Sequence, residues 1–562
     1  MNRQEIIETY RKNPHIPVLI IGAGVNGIGT FRDLALQGIH VLLIDKGDFC
    51  SGASAASSHM VHGGLRYLEN GEFRLVREAV QERNLLIQNA PHYVKPLPTT
   101  IPIFKWFSGL LNAPLKFFGL INHPSERGAV VIKLGLILYD IYSRQGVVPK
   151  HSFAFRKQSL TGFPSLPPNI ICTATYFDAA MSSPERLCLE MLLDAEAVNP
   201  LAKAINYVRV ERASTDSLTL SDQLSGEQFT VKPNIVINAT GAWIDFTNQV
   251  MKRQTHFMGG TKGSHLVLNH PKLRQALGDH EFFFENKDGR IVLIFPLMDK
   301  VLVGTSDLPI HDPEEARCTE AEIDYFLEMI KVVFPYIPVD RSHIVFQFSG
   351  VRPLPATNAS TPGQISRDHS IQVIEPGEGV DFPIFCLIGG KWTSFRAFSE
   401  QVTDAVLDKL GFTRKRSTND LPIGGGHNYP QSTEAVDRWL QTYHHKTGLF
   451  LERSRLLFER YGTRAEELAR FSGKDDQPLT HKPDYTRNEV TFLAQKEKVV
   501  HLDDLILRRT LIAMLGELTT GLLYELAEVV GKALGWSASM KQAEIERTLH
   551  ILADRHGVII AR

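Results

Sequence analysis

The stretch VLIIGAGVNG, residues 18–27, decides the fold of this chain. Its first four residues form an apolar run, and the remaining six carry glycines at the spacing GxGxxG. A helical pattern follows over 28–37, and a second apolar run, 41–44, ends in Asp45. The order strand, tight turn, helix, strand and acid predicts a βαβ unit with parallel strands.

Each glycine of this motif has a separate physical role in binding a dinucleotide. Gly22 permits the tight turn, Gly24 lets the backbone approach a pyrophosphate, and Gly27 lets the helix pack closely on the strand. The first helical turn, which includes Asn26, offers N–H groups to the phosphates. Asp45 lies 18 residues after the last glycine, near the usual spacing of about 20 for an acid that accepts ribose hydroxyls. We therefore predict cofactor contacts at these five residues.

The segment after the acid favours FAD over NAD. Residues 51–67, SGASAASSHMVHGGLRY, are rich in small and hydroxylated side chains, which let a large ligand lie against the backbone. An NAD domain would usually continue here with regular β/α alternation. The cofactor contacts that we predict in this segment are Ser54, Ser57, Ser58, His62, Gly64 and Leu65.

Length and composition exclude several classes of protein. The chain has 562 residues, or about 3.7 domain units at the usual size, and is 43% hydrophobic and 22% charged, as in globular proteins. A net charge of -1 argues against bulk attraction to nucleic acid. Five scattered cysteines without a CxxC predict neither a zinc cage nor a disulfide framework, and we predict no metal site.

No apolar run reaches the ~18 residues that span a bilayer, and the N-terminus lacks the apolar core of a secretory signal. We therefore expect a cytoplasmic protein, with peripheral attachment to the cytoplasmic face of the membrane left open. The segment 103–121 is rich in Phe, Trp and Leu, with Lys105 and Lys116 interspersed. This composition suits an element lying in the headgroup region, and a buried helical hairpin is the equal alternative.

The rest of the chain predicts a mixed fold. Buried strands are expected at 235–241, 301–307 and 384–390, and antiparallel strands near 206–231 and 344–374. The glycine-rich 424–430 resembles a linker, and the residues that follow, 431–562, are mostly helical in pattern, with periodic apolar positions over 456–471 and 505–534.

Several blocks, taken together, resemble the FAD-dependent glycerol-3-phosphate dehydrogenases of the glycine oxidase and D-amino-acid oxidase superfamily. The resemblance begins with the glycine motif and SSHMVHGGLRYLENGEF, residues 57–73, and covers nearly the whole chain. The further blocks, in order, are NATGAW at 238–243, TKGSH at 261–265, GTSD at 304–307, FSGVRP at 348–353, SRD at 366–368 and GGKWT at 389–393.

This family fold implies α/β and α+β architecture in three parts. The first is a Rossmann-like FAD-binding domain assembled from 1–90, 160–255 and 345–415. The second is a substrate-binding domain on an antiparallel sheet, from 91–159 and 256–344. The third is a helical C-terminal domain, 425–562.

The resemblance also implies roles for individual residues. Arg66, Tyr67 and Arg367 are expected to hold a substrate phosphate together with Lys262, because Arg gives planar bidentate contacts. Arg352, Lys391 and Thr393 are expected near the reacting hydroxyl, and His265 is the candidate general base, with Arg352 as the alternative proton handler. The flavin contacts that the resemblance adds are Gly241, Trp243, Gly389, Gly390 and Lys391.

The reaction implied is oxidation of sn-glycerol 3-phosphate to dihydroxyacetone phosphate, with noncovalent FAD and no covalent link at His62. A quinone acceptor is favoured over oxygen. The alternatives are an oxygen-using glycerol-3-phosphate oxidase, an amine or amino-acid oxidase of the same superfamily, and a catalytically dead flavoprotein. Beyond substrate and acceptor, a homodimer is left open and no nucleic-acid partner is expected.

Overall fold

The computed structural model describes residues 2–65, 72–108, 128–143, 146–285, 291–356, 368–377, 379–473 and 476–560. Two sheets and a set of C-terminal helices make up this part of the chain. The helices span Arg3–Lys12 (α1), Val25–Leu36 (α2), Phe73–Asn89 (α3), Ala129–Tyr142 (α4), Arg156–Gly162 (α5), Pro184–Val198 (α6), Ile244–Val250 (α7), Pro271–Leu277 (α8), Glu320–Val333 (α9), Phe395–Leu410 (α10), Thr433–Thr447 (α11), Leu451–Tyr461 (α12), Ala465–Ser472 (α13), Arg487–Lys496 (α14), Leu502–Asp504 (α15), Thr520–Leu534 (α16) and Ala538–His556 (α17). The strands span His15–Ile21 (β1), Val41–Ile44 (β2), Met60–Val61 (β3), Val94–Ile103 (β4), Ser152–Phe155 (β5), Cys172–Met181 (β6), Lys203–Ile205 (β7), Val208–Ala213 (β8), Leu218–Asp222 (β9), Gln228–Asn238 (β10), Thr261–Leu268 (β11), Glu281–Glu285 (β12), Ile291–Leu297 (β13), Lys300–Gly304 (β14), Leu308–Pro309 (β15), Ile344–Arg352 (β16), Ser370–Ile374 (β17) and Ile384–Ile388 (β18).

The first sheet confirms the predicted βαβ unit and its parallel strands. Its order is β17-β18-β10-β1-β2-β7, and only the edge strand β17 runs antiparallel on this path. The antiparallel β8 and β9 extend from the first half of β10. Helices α2, α6 and α10 pack apolar side chains on one face of this sheet, and α1, β8 and β9 cover the other face. Because both faces are buried, the strands have continuous apolar runs.

The second sheet is mostly antiparallel and follows the order β15-β11-β14-β13-β12-β4-β6-β3. Strand β16 pairs with the free edge of β11, and α9 packs on the sheet through an apolar core. This sheet includes β6 and β16, which lie in segments that the predicted division gives to the FAD-binding domain. The chain therefore crosses between the sheets more often than the linear division assumes, and the domain boundaries themselves remain a prediction.

The C-terminal residues form the predicted helical region. Its helices α11 to α17 enclose an apolar core that also contacts side chains of the second sheet, including Phe346 and Phe348. The periodic pattern over 505–534 is not one helix, because a helical turn ends at Arg509 and α16 begins at Thr520. Within the part of the chain that the structure describes, no helix is both long and apolar enough to cross a bilayer.

Candidate active site

The glycine turn joins β1 to α2 in the predicted way. Gly22 has φ +103°, and a Cβ there would lie 2.6 Å from the carbonyl oxygen of Ala239. A Cβ on Gly27 would lie 1.9 Å from the carbonyl oxygen of Gly22, so helix and strand approach too closely for a side chain. Asp45 accepts a hydrogen bond from the N–H of Ala23 at 2.7 Å, and burial raises the pKa of its carboxyl to about 6.

Two distant loops meet at the start of α2. The Ser54 hydroxyl accepts a hydrogen bond from the Val25 N–H at 2.9 Å, and the Ser54 carbonyl accepts one from the Trp392 indole at 2.9 Å. The Asn26 amide donates to the carbonyl of Gly389 at 3.3 Å. A Cβ on Gly390 would lie 2.5 Å from that amide nitrogen. The three predicted cofactor loops therefore converge around the first turn of this helix.

The converging residues fit FAD. The glycines leave a cradle of backbone at the N-terminus of α2, where phosphate groups are stabilised by N–H donors and the helix dipole. Among the described residues, Asn26 Oδ1 and Ser394 Oγ are buried without a hydrogen-bond partner. Asn26 lies in the first turn of α2, and Ser394 directly follows the GGKWT block. Buried polar atoms are rarely left unpaired in proteins, so these atoms suit a polar ligand.

The end of β10 carries the next pair of predicted contacts. Gly241 has φ +61° and begins a short turn that ends at Trp243. The Trp243 indole donates to Glu314 at 3.0 Å, and the Lys46 ammonium lies 4.7 Å from the centre of its ring. Lys46 directly follows Asp45, the predicted ribose contact, so Trp243 lies next to the loop that follows β2.

His265 lies on β11 in a tightly packed, buried position. Its Nε2 is 2.8 Å from the Ser58 hydroxyl, and its ring stacks on Phe348 with centroids 4.8 Å apart. A Cβ on Gly304 would lie 2.1 Å from the imidazole, so only glycine fits there. Burial, reinforced by the charge of Arg352, lowers the pKa of His265 to about 3. The imidazole is therefore neutral at physiological pH, as a proton acceptor requires.

Arg352 lies at the end of β16 beside the same face of β11. Its guanidinium donates to the Thr305 hydroxyl at 2.8 Å, to the Ser306 carbonyl at 3.0 Å and to Asp307 at 3.2 Å. A Cβ on Gly263 would lie 2.2 Å from this guanidinium. Because residues 261, 263 and 265 alternate onto one face of the strand, the cation lies on the side of the sheet that carries His265.

Lys262 points to the opposite face of the sheet. Its ammonium pairs with Glu322 at 2.7 Å and donates to the Arg317 carbonyl at 2.7 Å. The period of two along a strand separates it from its neighbours His265 and Gly263. This placement therefore does not support the predicted contact of Lys262 with the substrate phosphate. The Lys262 ammonium forms an ion pair with Glu322 of α9.

The remaining predicted residues fall into two groups. Thr393 is buried and donates to the His62 carbonyl at 3.1 Å, which joins the GGKWT loop to the 51–65 segment. Leu65 packs on the apolar core of β6 and α4, while Ser57 accepts a hydrogen bond from the His59 N–H at 3.3 Å. The residues that lie outside the described part of the chain are Arg66, Tyr67 and Arg367.

Sequence reasoning missed the residues that hold the site in place. Three acidic side chains bind cations in or next to the site. Asp307 binds Arg352, Glu322 binds Lys262, and Asp48 binds Arg509. Asp307 is the last residue of the GTSD block, and this position in a family motif could have indicated a role in the site. Glu322 occupies a capping box with Thr319, a pattern that predicts a helix start and gives no sign of a tertiary role.

Comparison with known proteins supports this description. Residues 17–370 match the family described as FAD dependent oxidoreductase, and residues 416–541 match the C-terminal domain of alpha-glycerophosphate oxidase. The chain is 35% identical to a glycerol-3-phosphate dehydrogenase from Synechocystis sp., over 95% of this chain and 96% of that protein. It is 29% identical to a glycerol-3-phosphate dehydrogenase from Pseudomonas aeruginosa, over 88% and 92% of the two chains.

The fold also resembles solved structures. The glycerol-3-phosphate dehydrogenase from Bacillus halodurans, complexed with FAD, aligns with a TM-score of 0.74 at 21% identity, over 98% of this chain and 97% of that one. The L-alpha-glycerophosphate oxidase from Mycoplasma pneumoniae, with FAD bound, aligns with a TM-score of 0.54 at 18% identity, over 72% and 98%. With the glycine cradle, the converging loops and the matched relatives together, the chain belongs to the FAD-dependent glycerol-3-phosphate dehydrogenase family of the glycine oxidase and D-amino-acid oxidase superfamily, and its cofactor is FAD.

Proposed function

We propose that this protein oxidises sn-glycerol 3-phosphate to dihydroxyacetone phosphate. The observation that carries the proposal is the placement of a buried His265 and the cation Arg352 on the same face of the second sheet. The relatives named glycerol-3-phosphate dehydrogenase support the choice of substrate. FAD held at the glycine cradle would supply, at N5, the acceptor for the hydride that leaves C2 of the substrate.

His265 is proposed to take the proton from the C2 hydroxyl. Its neutral imidazole can accept a proton, and Ser58 holds the ring from one side at 2.8 Å while Phe348 stacks on it. Among the described residues, the buried Nδ1 of His265 has no hydrogen-bond partner, which supports a role toward a ligand atom. Arg352 is proposed to stabilise the negative charge that develops on the substrate oxygen.

The substrate phosphate is proposed to bind Arg66, Tyr67 and Arg367. Fixed guanidinium groups suit a phosphate dianion because they donate two parallel hydrogen bonds. This assignment is supported by the family blocks that carry these residues, HGGLRY and SRD. Lys391 and Thr393 are proposed to lie at the flavin and the reacting hydroxyl, since Thr393 is joined to His62 at the meeting point of two cofactor loops.

A quinone is proposed as the electron acceptor, with the protein attached peripherally to a membrane. Helix α4 supports this, because it exposes four apolar side chains at the spacing i, i+3, i+4 and i+7, which we call the apolar stripe. The stripe consists of Leu134, Ile137, Leu138 and Ile141, which are 58%, 42%, 44% and 45% exposed. Trp106, Phe107 and Phe155 are also exposed large apolar residues. The predicted interfacial segment 103–121 lies mostly outside the described residues.

Anaerobic flavin bleaching tests the proposed reaction. The purified holoenzyme is mixed with glycerol 3-phosphate without oxygen, and we expect the oxidised flavin absorbance to disappear. Glycine and sarcosine serve as matched controls and should leave the spectrum unchanged. Bleaching by an amine with no response to glycerol 3-phosphate would contradict the proposal, and bleaching by none of them would indicate an inactive flavoprotein.

The acceptor is tested on the bleached enzyme. A soluble quinone analogue and dissolved oxygen are added to separate samples, and the return of the flavin absorbance is timed. We expect reoxidation by the quinone to be much the faster of the two. Faster reoxidation by oxygen would indicate that the protein is a glycerol-3-phosphate oxidase and would contradict the proposed quinone acceptor.

A further inference from the structure

The loop that follows the ribose acid is held against the glycine turn. The Cys50 N–H donates to the Ala23 carbonyl at 2.8 Å, and the Gly47 N–H donates to the Asp45 carboxylate at 2.9 Å. The shape of residues 45–50, which we call the ribose loop, therefore sets the position of the Asp45 side chain relative to the glycine turn. Asp48 lies in the middle of this loop and is 1% exposed.

The Asp48 carboxylate is bound by two arginines of the C-terminal helices. Arg509 donates from Nη1 at 2.6 Å and from Nη2 at 3.0 Å, a bidentate contact, and Arg508 donates from Nε at 2.6 Å. Asn206 adds a fourth hydrogen bond at 2.9 Å. The two arginines hold the pKa of Asp48 well below its ordinary value even though burial opposes this.

Both arginines are fixed within their own domain. Arg508 donates to Asp504 at 2.7 Å and to Asp503 at 3.1 Å, and the Nε of Arg509 donates to the Glu497 carbonyl at 3.0 Å. The C-terminal helices therefore fix the positions of both arginines through contacts that do not involve Asp48. Buried charge-assisted and bidentate contacts are strong and directional, so they transmit that position to the ribose loop.

We propose that the C-terminal domain holds the ribose loop in its FAD-binding conformation through Asp48, with Arg508 and Arg509 as positioning residues. The proposal rests on the assignment of Asp45 to the ribose of FAD. It gives the C-terminal helices a role in retaining the cofactor, beyond covering the second sheet. A change at this contact is expected to weaken FAD binding more than it alters the substrate site.

The test measures release of FAD from the full-length holoenzyme. Arg509→Lys keeps the charge and removes the bidentate contact. The holoenzyme is diluted, and flavin fluorescence reports dissociation of FAD. We expect release about tenfold faster than in the wild type, which is the size of effect that loss of one charge-assisted hydrogen bond gives. The KM for glycerol 3-phosphate at saturating FAD should stay unchanged, because the substrate site is not touched.

Arg453→Lys is the matched control. Arg453 also contacts a buried carboxylate, Glu489, at 2.6 Å, and donates to the Asp484 carbonyl at 2.8 Å, both within the C-terminal helices. This variant should lower the unfolding midpoint while FAD release keeps its wild-type rate. Equal acceleration in both variants, or no acceleration in Arg509→Lys, would overturn the proposal in favour of a purely structural contact.

A second variant guards against a failure to fold. Asp48→Asn keeps the shape of the side chain and removes its charge, and we expect faster FAD release from this variant as well. The outcomes are separable from those of the proposed function. If Arg509→Lys and Asp48→Asn release FAD at the wild-type rate and are bleached normally by glycerol 3-phosphate, only this inference is wrong. If the wild type holds FAD tightly and glycerol 3-phosphate does not bleach it, only the proposed substrate is wrong.

Discussion

At the residue scale, the protonation of His265 is set by its surroundings. A solvated imidazole has an ordinary pKa of 6.5, and burial together with the charge of Arg352 lowers it to about 3. The folded protein therefore binds fewer protons at this position than the unfolded chain between these two values. It follows that His265 favours neither state above pH 6.5 and destabilises the folded protein progressively as the pH falls below it.

His265→Gln tests both the chemistry and this environment. We expect kcat for glycerol 3-phosphate to fall by about 10²- to 10⁴-fold, the usual contribution of a general base, with FAD content unchanged. We also expect the wild type to lose more stability than the variant between pH 7 and pH 5, because only the wild type carries the imidazole. Steady-state kinetics and denaturant unfolding at the two pH values measure these effects.

His270→Gln is the control for that substitution. His270 is also a buried histidine, and it bonds the Leu273 N–H and the Pro338 carbonyl near the end of the same strand. Within the described part of the chain it has no hydrogen bond to a proposed substrate or flavin residue, so kcat should match the wild type. An unchanged kcat in His265→Gln would exclude His265 as the base and leave Arg352 as the proton handler.

At the scale of the element, strand β11 divides its side chains between two tasks. His265 and Gly263 serve the face that carries Arg352, while Lys262 and Ser264 bond to Glu322 of α9 on the other face. Glu322 also accepts from the Ser306 hydroxyl at 2.5 Å, and the Ser306 carbonyl accepts from Arg352. Helix α9 therefore fixes the loop that holds Arg352, the proposed catalytic cation.

Glu322→Gln should disturb that loop. The amide replaces one of the two acceptor oxygens with a donor, so it cannot accept both from the Lys262 ammonium and from the Ser306 hydroxyl. Rotation of the amide away from Lys262 turns its NH2 group toward Ser306, and Ser306 and the guanidinium of Arg352 then lose their fixed position. We expect kcat to fall by about tenfold with little change in KM, because a small misplacement of a catalytic group affects the transition state most. Steady-state kinetics at saturating FAD gives the split between the two constants.

Glu328→Gln on the same helix is the matched control. Its carboxylate is 64% exposed and pairs with Lys331 at 3.4 Å, so neither kinetic constant should change. If Glu322→Gln lowered the unfolding midpoint and left kcat at the wild-type value, Glu322 would be a structural residue without a positioning role.

At the scale of the whole molecule, the apolar stripe on α4 is an exposed hydrophobic patch on the protein surface. The opposite side of the helix buries Ile132, Leu136 and Tyr139 in the core that packs on β6, so the stripe is exposed by the way the helix docks. Exposed apolar patches often mark binding to a membrane or a partner. The proposed quinone acceptor is soluble in lipid, which makes a membrane the expected partner of this surface.

The double variant Leu134→Ser, Leu138→Ser should reduce attachment to lipid. Each leucine contributes about 1.5–3 kcal/mol when fully buried in an apolar phase, so we expect at least a tenfold loss of binding to phospholipid vesicles in co-sedimentation. The kcat with a soluble acceptor should be unchanged. Phe450→Ser is the control, because Phe450 is 84% exposed on the C-terminal helices. Equal vesicle binding by the double variant and the wild type would contradict a role for the stripe.

Features that depend on neighbouring residues could be predicted from the sequence, whereas contacts between residues far apart in the chain could not. The glycine turn and the parallel strands were predicted correctly, since each depends on residues within one βαβ unit. The contact of Asp45 with the cofactor stays a prediction. The face of the sheet that Lys262 occupies could not be predicted, because only the pairing of β11 with β16 and the ion pair with Glu322 of α9 show it. The sequence also carried no sign that Asp48 meets Arg509, from which it is separated by 461 residues.

By itself, then, the sequence determined the dinucleotide turn, the family and the helical C-terminal region, because backbone demands at a glycine and the periodicity of apolar residues are written in neighbouring positions. Only the tertiary structure decided which cations face His265, which loop holds Arg352 and how the C-terminal helices reach the ribose loop. The physical reason is that strand register and helix docking bring these side chains together, and both are fixed by packing across the whole chain.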